Sequence, residues 1–459
     1  MLKLYKLMGI LAVLIFFSFY FIPLGFCEEN VKAGMWTSFQ ENFSPRLDIN
    51  LRTAYFLKDS NLDPDNSYLS GNIIAHFTRD LFSGMILRVD PSINFDSFSS
   101  DSAAGAQFFV EDDKQRPAYT LKEALISWYG ETMEIEIGKK IFSWKVADGF
   151  SPLDTLNPVD IIELMDPEKI GIPSISVLKM FNAATLQVVV MPFFVPDRQP
   201  SDTSRWTSDD PKGRAEFKKK FGMEPVNVDV GRLMPDDGWN KPSMAARLSS
   251  STLLEGWDFA LVYQHGYSTK GVIRNDINIF TLPLVKQTTE YPEYELYGLS
   301  FSTTVNDFEF HGEAAYHNTF DNLKDEDYLS YIVGMNYTDY EWFSNLFDEI
   351  RFVAEYAGEK IRKKRDKNSP FSNKGVSRGM TSDIITSIDF KINEDHSLKT
   401  SYIYNIKDKD SLMDMFMESK LNDHLKIIYG FQILSGKQDS FFGQWDKNDR
   451  AYIRMSIQY

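Results

Sequence analysis

From residue 46 onward, apolar and polar side chains alternate with a period of two. Leu47, Ile49, Leu51, Tyr55 and Leu57 share one parity, while Asp48, Asn50, Arg52 and Ala54 take the other. Met133, Ile135 and Ile137 alternate with Glu134, Glu136 and Gly138. Trp257, Phe259, Leu261 and Tyr263 alternate with Asp258, Ala260, Val262 and Gln264. The same holds where Ile350, Phe352, Ala354 and Tyr356 face Arg351, Val353 and Glu355, and where Leu425, Ile427, Tyr429, Phe431 and Ile433 face Lys426, Gly430 and Gln432. Side chains of a strand point to opposite faces in turn, so each stretch reads as a strand with one apolar and one mixed face. The pattern predicts strands at 46–57, 68–79, 84–95, 118–129, 132–143, 175–183, 185–195, 242–250 and 256–267. A second run follows at 293–304, 307–318, 328–339, 348–358, 380–392, 397–406, 411–421, 424–434 and 450–459.

The connectors alternate as well. Short ones (80–83, 130–131, around Ala184, 251–255, Asn306, 345–347, 393–396, 422–423) take turns with long ones (58–67, 96–117, 144–174, 196–241, 268–292, 359–379, 435–449). Only 319–327 and 407–410 are modest for the long side. Beyond residue 30 no apolar run approaches the ~18 residues of a spanning helix. Strands of about ten residues, short turns at one end, long loops at the other and an even count describe an all-β, transmembrane antiparallel β-barrel. The count is about 18 strands, with 16 the alternative. Strand edges exposed to lipid leave backbone groups unbonded at several kcal/mol each, so such a sheet must close on itself. A ring of this many strands is wide enough to hold water.

Composition narrows the picture. Lys plus Arg number 49 against 65 Asp plus Glu, a formal charge of −16, which repels a phosphate backbone and argues against a nucleic-acid binder. One Cys excludes an internal disulfide, and a mean hydropathy of −0.30 excludes a polytopic helical membrane protein. Residues 1–27 read as a signal peptide: Lys3 and Lys6 precede an apolar run from Leu7 to Phe26, Pro23 and Gly25 break its end, and a cut falls after Cys27. An uncleaved anchor is the rival, disfavoured by Glu28 and Glu29. Phe26 is too bulky for lipidation of Cys27. The division expected is a signal peptide at 1–27, an N-terminal periplasmic segment at 28–45 and one barrel at 46–459, with 144–174 and 196–241 as outer loops.

If the apolar parity meets lipid, the other faces the lumen. The lumen candidates are Arg52, Glu134, Glu136, Asp258, Glu313, Arg351, Glu355, Lys399 and Arg454, with Asp389, Lys391 and Lys426 beside them. Both signs occur, as suits a hydrated passage; each alone also suits a solvated wall position. The loop 144–174 carries the apolar anchors Trp144, Phe150, Leu153 and Leu156 and turn-forming Ser151-Pro152 and Asn157-Pro158. Long loops are functional or disordered, and these anchors argue for order. The loop after strand 5 is therefore expected to fold inward and narrow the passage, with Lys140, Lys145, Asp148, Asp154 and Asp160 at the constriction. Lys360, Arg362, Lys363, Lys364 and Arg365 form a basic cluster assigned to an outer loop, where it is a solvated loop or a partner for lipopolysaccharide phosphates.

Trp144, Asp148-Gly149 and Asp154-Thr-Leu-Asn157-Pro158-Val-Asp160 resemble the W, D-G, D-x-x-N-P-x-D segment of a bacterial outer-membrane porin-like family of unknown function. Pro196-Asp-Arg198-Gln-Pro200 and Ser204-Arg-Trp206 are similar to its proline-rich outer loop. The resemblance covers roughly residues 120 to 210 and departs at Lys145, where that family often has Gly. It implies a barrel and a transport-like role, without a substrate. The last residues, Ile453, Met455, Ile457 and Tyr459 on one face, resemble the targeting strand that ends outer-membrane proteins, Tyr replacing the commoner Phe.

His311, Glu313 and His317 share the lumen parity of one strand, but no HExxH, GxSxG or Cys-based motif occurs. No enzyme, metal site or cofactor is expected. The function expected is an outer-membrane channel for small hydrophilic solutes or ions. An export barrel for a polysaccharide or lipid, or a surface receptor or adhesin using loop 196–241, are the alternatives. A charged polymer would call for a lumen of one sign, against the mixture seen here.

Overall fold

Backbone pairing turns the alternation into a closed ring. The computed structural model describes residues 45–459 apart from 61–62, 64, 98–104, 209–216, 221, 224–225, 278–283, 342 and 373–377. The expected signal peptide and periplasmic segment lie outside the described residues, Pro45 excepted. The wall begins with β1 (Arg46–Phe56), β2 (Ser67–Phe82), β3 (Met85–Asp96), β4 (Tyr119–Tyr129), β5 (Met133–Lys140) and β6 (Ile172–Met180). It continues with β7 (Thr185–Met191), β8 (Ser243–Leu254), β9 (Trp257–Tyr267), β10 (Glu293–Val305), β11 (Phe308–Thr319) and β12 (Asp327–Asp339). It ends with β13 (Glu349–Lys363), β14 (Ser382–Lys391), β15 (His396–Asn405), β16 (Ser411–Asn422), β17 (Leu425–Ser435) and β18 (Arg450–Gln458). The sheet has 19 members, one of which is the two-residue Ala106–Gln107; the other eighteen form the ring, each strand antiparallel to the next.

Closure comes from β1 against β18, with Leu51 opposite Met455 and Arg52 opposite Arg454. Leu47 and the terminal Tyr459 exchange both backbone hydrogen bonds at 2.9 Å. No sheet edge is left open along the wall, the condition that hydrocarbon imposes. Both ends of the chain's barrel lie at the end with the short turns. The turn between β10 and β11 is two residues, Val305 opposite Phe308, and Asn306 takes φ 53° there, a conformation Asn tolerates and hairpins favour.

The two faces separate as the pattern predicts. Leu261, Leu299, Val333, Tyr429 and Ile453 are exposed on the outside, while Gln264, Ser300, His311, Glu313 and Glu355 are buried within. Boundaries differ where backbone chemistry overrides pattern. The fifth strand ends at Lys140 rather than 143, because the Ile141 and Phe142 amides donate to Glu123 and Asn157 side chains. The seventh ends at Met191 rather than 195, since Pro192 has no N–H to continue the ladder. The thirteenth runs to Lys363 rather than 358, held by pairing with β12 as far as Asp327. Lys360, Arg362 and Lys363 therefore stand on an exposed strand extension, not in a loop, and Lys364 and Arg365 follow it. Above the ring, Val226–Leu233, Leu284–Glu290, Val272–Ile277 and Phe371–Ser372 form a separate four-stranded sheet drawn from three long loops, which the alternation did not predict.

Candidate functional site

The chain leaving β5 crosses the inside of the barrel. Its base is tied by Asn157, whose Oδ1 accepts from the Phe142 amide at 2.6 Å and whose Nδ2 donates to the carbonyls of Ile170 at 2.8 Å and Lys140 at 3.1 Å. Trp144, Leu153 and Leu156 then pack against Val189, Val262 and Leu296 of the wall. Gly298 on β10 makes room for this: a Cβ there would lie 2.2 Å from Leu153 Cδ2. Trp144 Nε1 donates to Gln187 at 3.0 Å and Thr155 to Gln264 at 2.8 Å. One side of the loop is thus sealed to β7, β9 and β10.

The tip of the loop is held by two wall carboxylates. Glu313 Oε1 accepts from the amides of Val146 and, at 2.9 Å, Ala147; its Oε2 accepts from Ser151 Oγ at 2.5 Å and more weakly from the Leu153 amide at 3.4 Å. Glu355 accepts from the Asp148 and Gly149 amides, both at 2.8 Å. Gly149 is needed there, because a Cβ would sit 2.8 Å from Glu355 Oε2. His311 Nε2 lies 2.8 Å from Glu355 Oε1. Asp148 turns its carboxylate to Arg351 at 3.0 Å, and that pair keeps 38% and 35% of its side-chain surface in contact with water.

The returning half is clamped by buried ion pairs. Asp160, 5% exposed, bonds Arg116 at 3.0 Å and Arg198 at 2.7 Å. Arg198 also bonds Glu111 at 2.9 Å, and Glu111 bonds Lys139 at 2.6 Å. Burial by itself would raise the Asp160 carboxyl, but the two guanidinium groups outweigh it and bring the value down to about 2. Asp197 is the opposite case: burial pushes it up, with Lys270 and the Val159 amide only partly opposing.

The sequence candidates divide accordingly. Arg52 and Arg454 converge on Asp166 at 3.2 and 3.5 Å, Lys399 pairs with Asp389 at 2.9 Å, and Lys426 reaches Glu418 at 3.5 Å. Lys140 pairs with Glu136, and Asp154 with Lys169 at 2.6 Å. Lys145 and Asp148 are exposed. Glu134 is half-buried on the lumen parity, and Asp258 borders a cavity of about 410 Å³ near the short turns. Glu313 and Glu355 were expected to meet lumen water; they lie beneath the loop, 2% and 3% exposed. Asp160 was expected to charge the constriction and is instead enclosed among arginines. Glu111, Arg116, Asp166 and Arg198 were not singled out for these roles. Their partners are distant in sequence, and no local spacing marks them.

Toward the long loops lies a cavity of about 860 Å³, bordered by Phe150, Thr155, Lys270, Tyr294, His317 and Arg378 among others. Eight residues around it carry carboxylates and four carry Lys or Arg groups. His317 does not join His311 and Glu313: its ring stacks on Tyr328 at 4.3 Å.

No family model matches the chain, and no curated protein sequence matches it. Among solved structures, it is similar to a BenF-like porin from Pseudomonas fluorescens Pf-5 at 9% identity, over 90% of this chain and 98% of that one, with a TM-score of 0.49. OccAB3 of Acinetobacter baumannii is similar at 12% identity, over 90% and 99%, with a TM-score of 0.49. A mutant porin of Rhodopseudomonas blastica is similar at 9% identity, over 91% and 100%, with a TM-score of 0.40.

Proposed function

We propose that the chain is a porin-like channel of the bacterial outer membrane, through which small hydrophilic solutes and ions diffuse. The observation that carries this reading is the inward loop pinned by Glu313 and Glu355 inside a ring whose outer face is apolar. A packed core would need no charged inner wall, and a soluble sheet would not expose Leu261, Leu299 and Ile453 to water. Outer-membrane barrels join an apolar outer band to a polar interior in this way.

The loop narrows the passage, leaving Lys145, Asp148 and Arg351 to meet a solute at the narrowing. The carboxylate excess around the outer cavity favours cations in that mouth. The loop segment from Trp144 to Asp160, with its likeness to the porin-like family, fits the same reading. Lys360, Arg362 and Lys363 at the outer end of β13, with Lys364 just after it, are exposed and supply contacts for lipopolysaccharide phosphates, whereas Arg365 is engaged by Asp325 at 3.4 Å.

Reconstitution of the purified protein into planar bilayers tests the proposal. Step-like currents are expected, with reversal potentials in a salt gradient reporting the preferred sign. Repeated reconstitution of folded protein without steps would overturn it.

A further inference from the structure

We propose that Asp148, His311 and Glu355 form a binding site for a divalent first-row transition-metal cation, with zinc as the test ion. Their ligating atoms, one carboxylate oxygen each from Asp148 and Glu355 and a ring nitrogen of His311, all lie within 4.8 Å of one another. Two carboxylates and an imidazole are a donor set that zinc accepts, with a fourth position left for water. Around a tetrahedral ion with bonds of about 2.1 Å, neighbouring ligand atoms are about 3.4 Å apart. The 2.8 Å contact between His311 Nε2 and Glu355 Oε1 therefore opens by about 0.6 Å when the ion replaces the proton between them.

Three further features favour a cation here. Among the described residues, Glu355 is the only polar partner of the His311 ring and its Nδ1 makes no hydrogen bond, so a metal at Nε2 displaces a single contact. Asn336, 5% exposed, holds its Nδ2 2.9 Å from Asp148 and 3.3 Å from Glu309, while its Oδ1 is buried with no donor. A half-turn of that amide presents the orphaned oxygen to the same place. The local charge also suits a doubly positive ion, since Asp148, Glu309 and Glu355 face one cation, Arg351. His311 and Glu355 are fully enclosed, and the partly exposed Asp148 supplies the route from water.

The three ligands come from the loop, β11 and β13, so a bound ion adds a bond between loop and wall beside the amides already held by Glu355. The sequence reading expected no metal. Nothing in the spacing brings Asp148 to a histidine more than 150 positions away.

Isothermal titration of the detergent-purified full chain with zinc chloride tests the site, independently of any current. One saturable zinc per chain is expected, with affinity reduced at least tenfold in both Asp148→Asn and His311→Gln. No saturable binding, or unchanged affinity in the two variants, overturns the proposal. If His311→Gln fails to fold, Asp148→Asn, altered at a partly exposed position, decides alone. Resting on the channel reading, zinc is also expected to quiet current fluctuations of the wild type and not of Asp148→Asn. Zinc bound in the calorimeter by a protein that forms no channel would leave the site standing and remove the channel.

Discussion

Replacing Glu313 should free the inward loop while sparing the ring. Its carboxylate accepts four hydrogen bonds from Val146, Ala147, Ser151 and Leu153, and hydrogen bonds to a charged acceptor contribute roughly 1.5–3 kcal/mol each. The sum overstates the loss, because a released loop regains water in a hydrated lumen. Leu156 and Trp144 also stay packed on the wall. Glu313→Gln keeps an oxygen for one half of this set and loses the charge, so we expect local docking to weaken by about 2 kcal/mol. Each 1.4 kcal/mol is a factor of ten, which makes amide exchange at Val146 and Ala147 roughly thirtyfold faster. Glu313→Leu, with no acceptor, should exceed that. Hydrogen–deuterium exchange of the detergent-solubilised protein, read on peptides covering 144–156, measures it, with β-strand peptides as the internal control. Exchange within threefold of wild type in Glu313→Leu would refute the pinning argument. Faster exchange with unchanged conductance would show that the loop does not set the width of the passage.

Other consequences follow from the same contacts. Asp160, held near 2 in the fold, contributes stability that is fully present above the unfolded carboxyl value near 4 and is lost as pH falls through about 2. We expect about 2 kcal/mol to disappear across that window, seen as faster proteolysis of 158–169, and a flat profile would contradict it. Asp160→Asn at neutral pH leaves Arg116 with Asp96 and Arg198 with Glu111 as their remaining carboxylates and should cost about 1.5–3 kcal/mol in reversible unfolding from vesicles. Gly298→Val should lower stability by about 1–3 kcal/mol through overpacking against Leu153, and Leu153→Ala should recover part of it; absence of rescue would place the strain elsewhere. Leu261→Arg on the outer face should cost about 2–4 kcal/mol of folding into lipid, while Asp258→Arg on the inner face costs far less; equal losses would mean the faces are misassigned.

Much of the wall was legible because one period governs it. A slip of one residue exchanges the two faces, so Leu425–Ile433 or Trp257–Tyr263 fixes its own orientation from sequence. The alternation of turns and loops supplied the order. What failed were the ends, where single chemical events decide: Pro192 stops β7, and the side chain of Asn157 takes the amide that would have lengthened β5. The sheet above the ring was missed, although Val226, Val228 and Val230 alternate with Asn227 and Asp229 inside what was read as an outer loop. Its partner, Leu284–Glu290, runs parallel to it across a separate loop, a pairing without local signal.

The site was readable by parity and unreadable by partner. Glu313, Arg351 and Glu355 belong to the inward set on pattern alone, yet what each does depends on the loop tip: Val146 and Ala147 reach Glu313, while Asp148 and Gly149 reach Glu355 from more than 200 positions away. Two buried carboxylates with no Lys or Arg in ion-pair contact among the described residues would ordinarily be a liability. Here backbone amides take the place of cations, and only a glycine-bearing, inward-bent segment can present them.

That exchange decides what the remaining passage presents to a solute. With Glu313 and Glu355 covered, four wall cations left in contact with water each stand opposite a carboxylate: Arg351 with Asp148, Lys399 with Asp389, Lys426 with Glu418, Arg454 with Asp166. Couples of this kind give short-range transverse fields that decay within about 8–10 Å at physiological salt. They orient small dipolar or singly charged solutes at the wall and exert little net pull along the axis. A long anionic polymer would gain little from these four positions, since each of their cations is already answered by a carboxylate. The same mixture that speaks against polymer export therefore suits solutes small enough to pass one couple at a time.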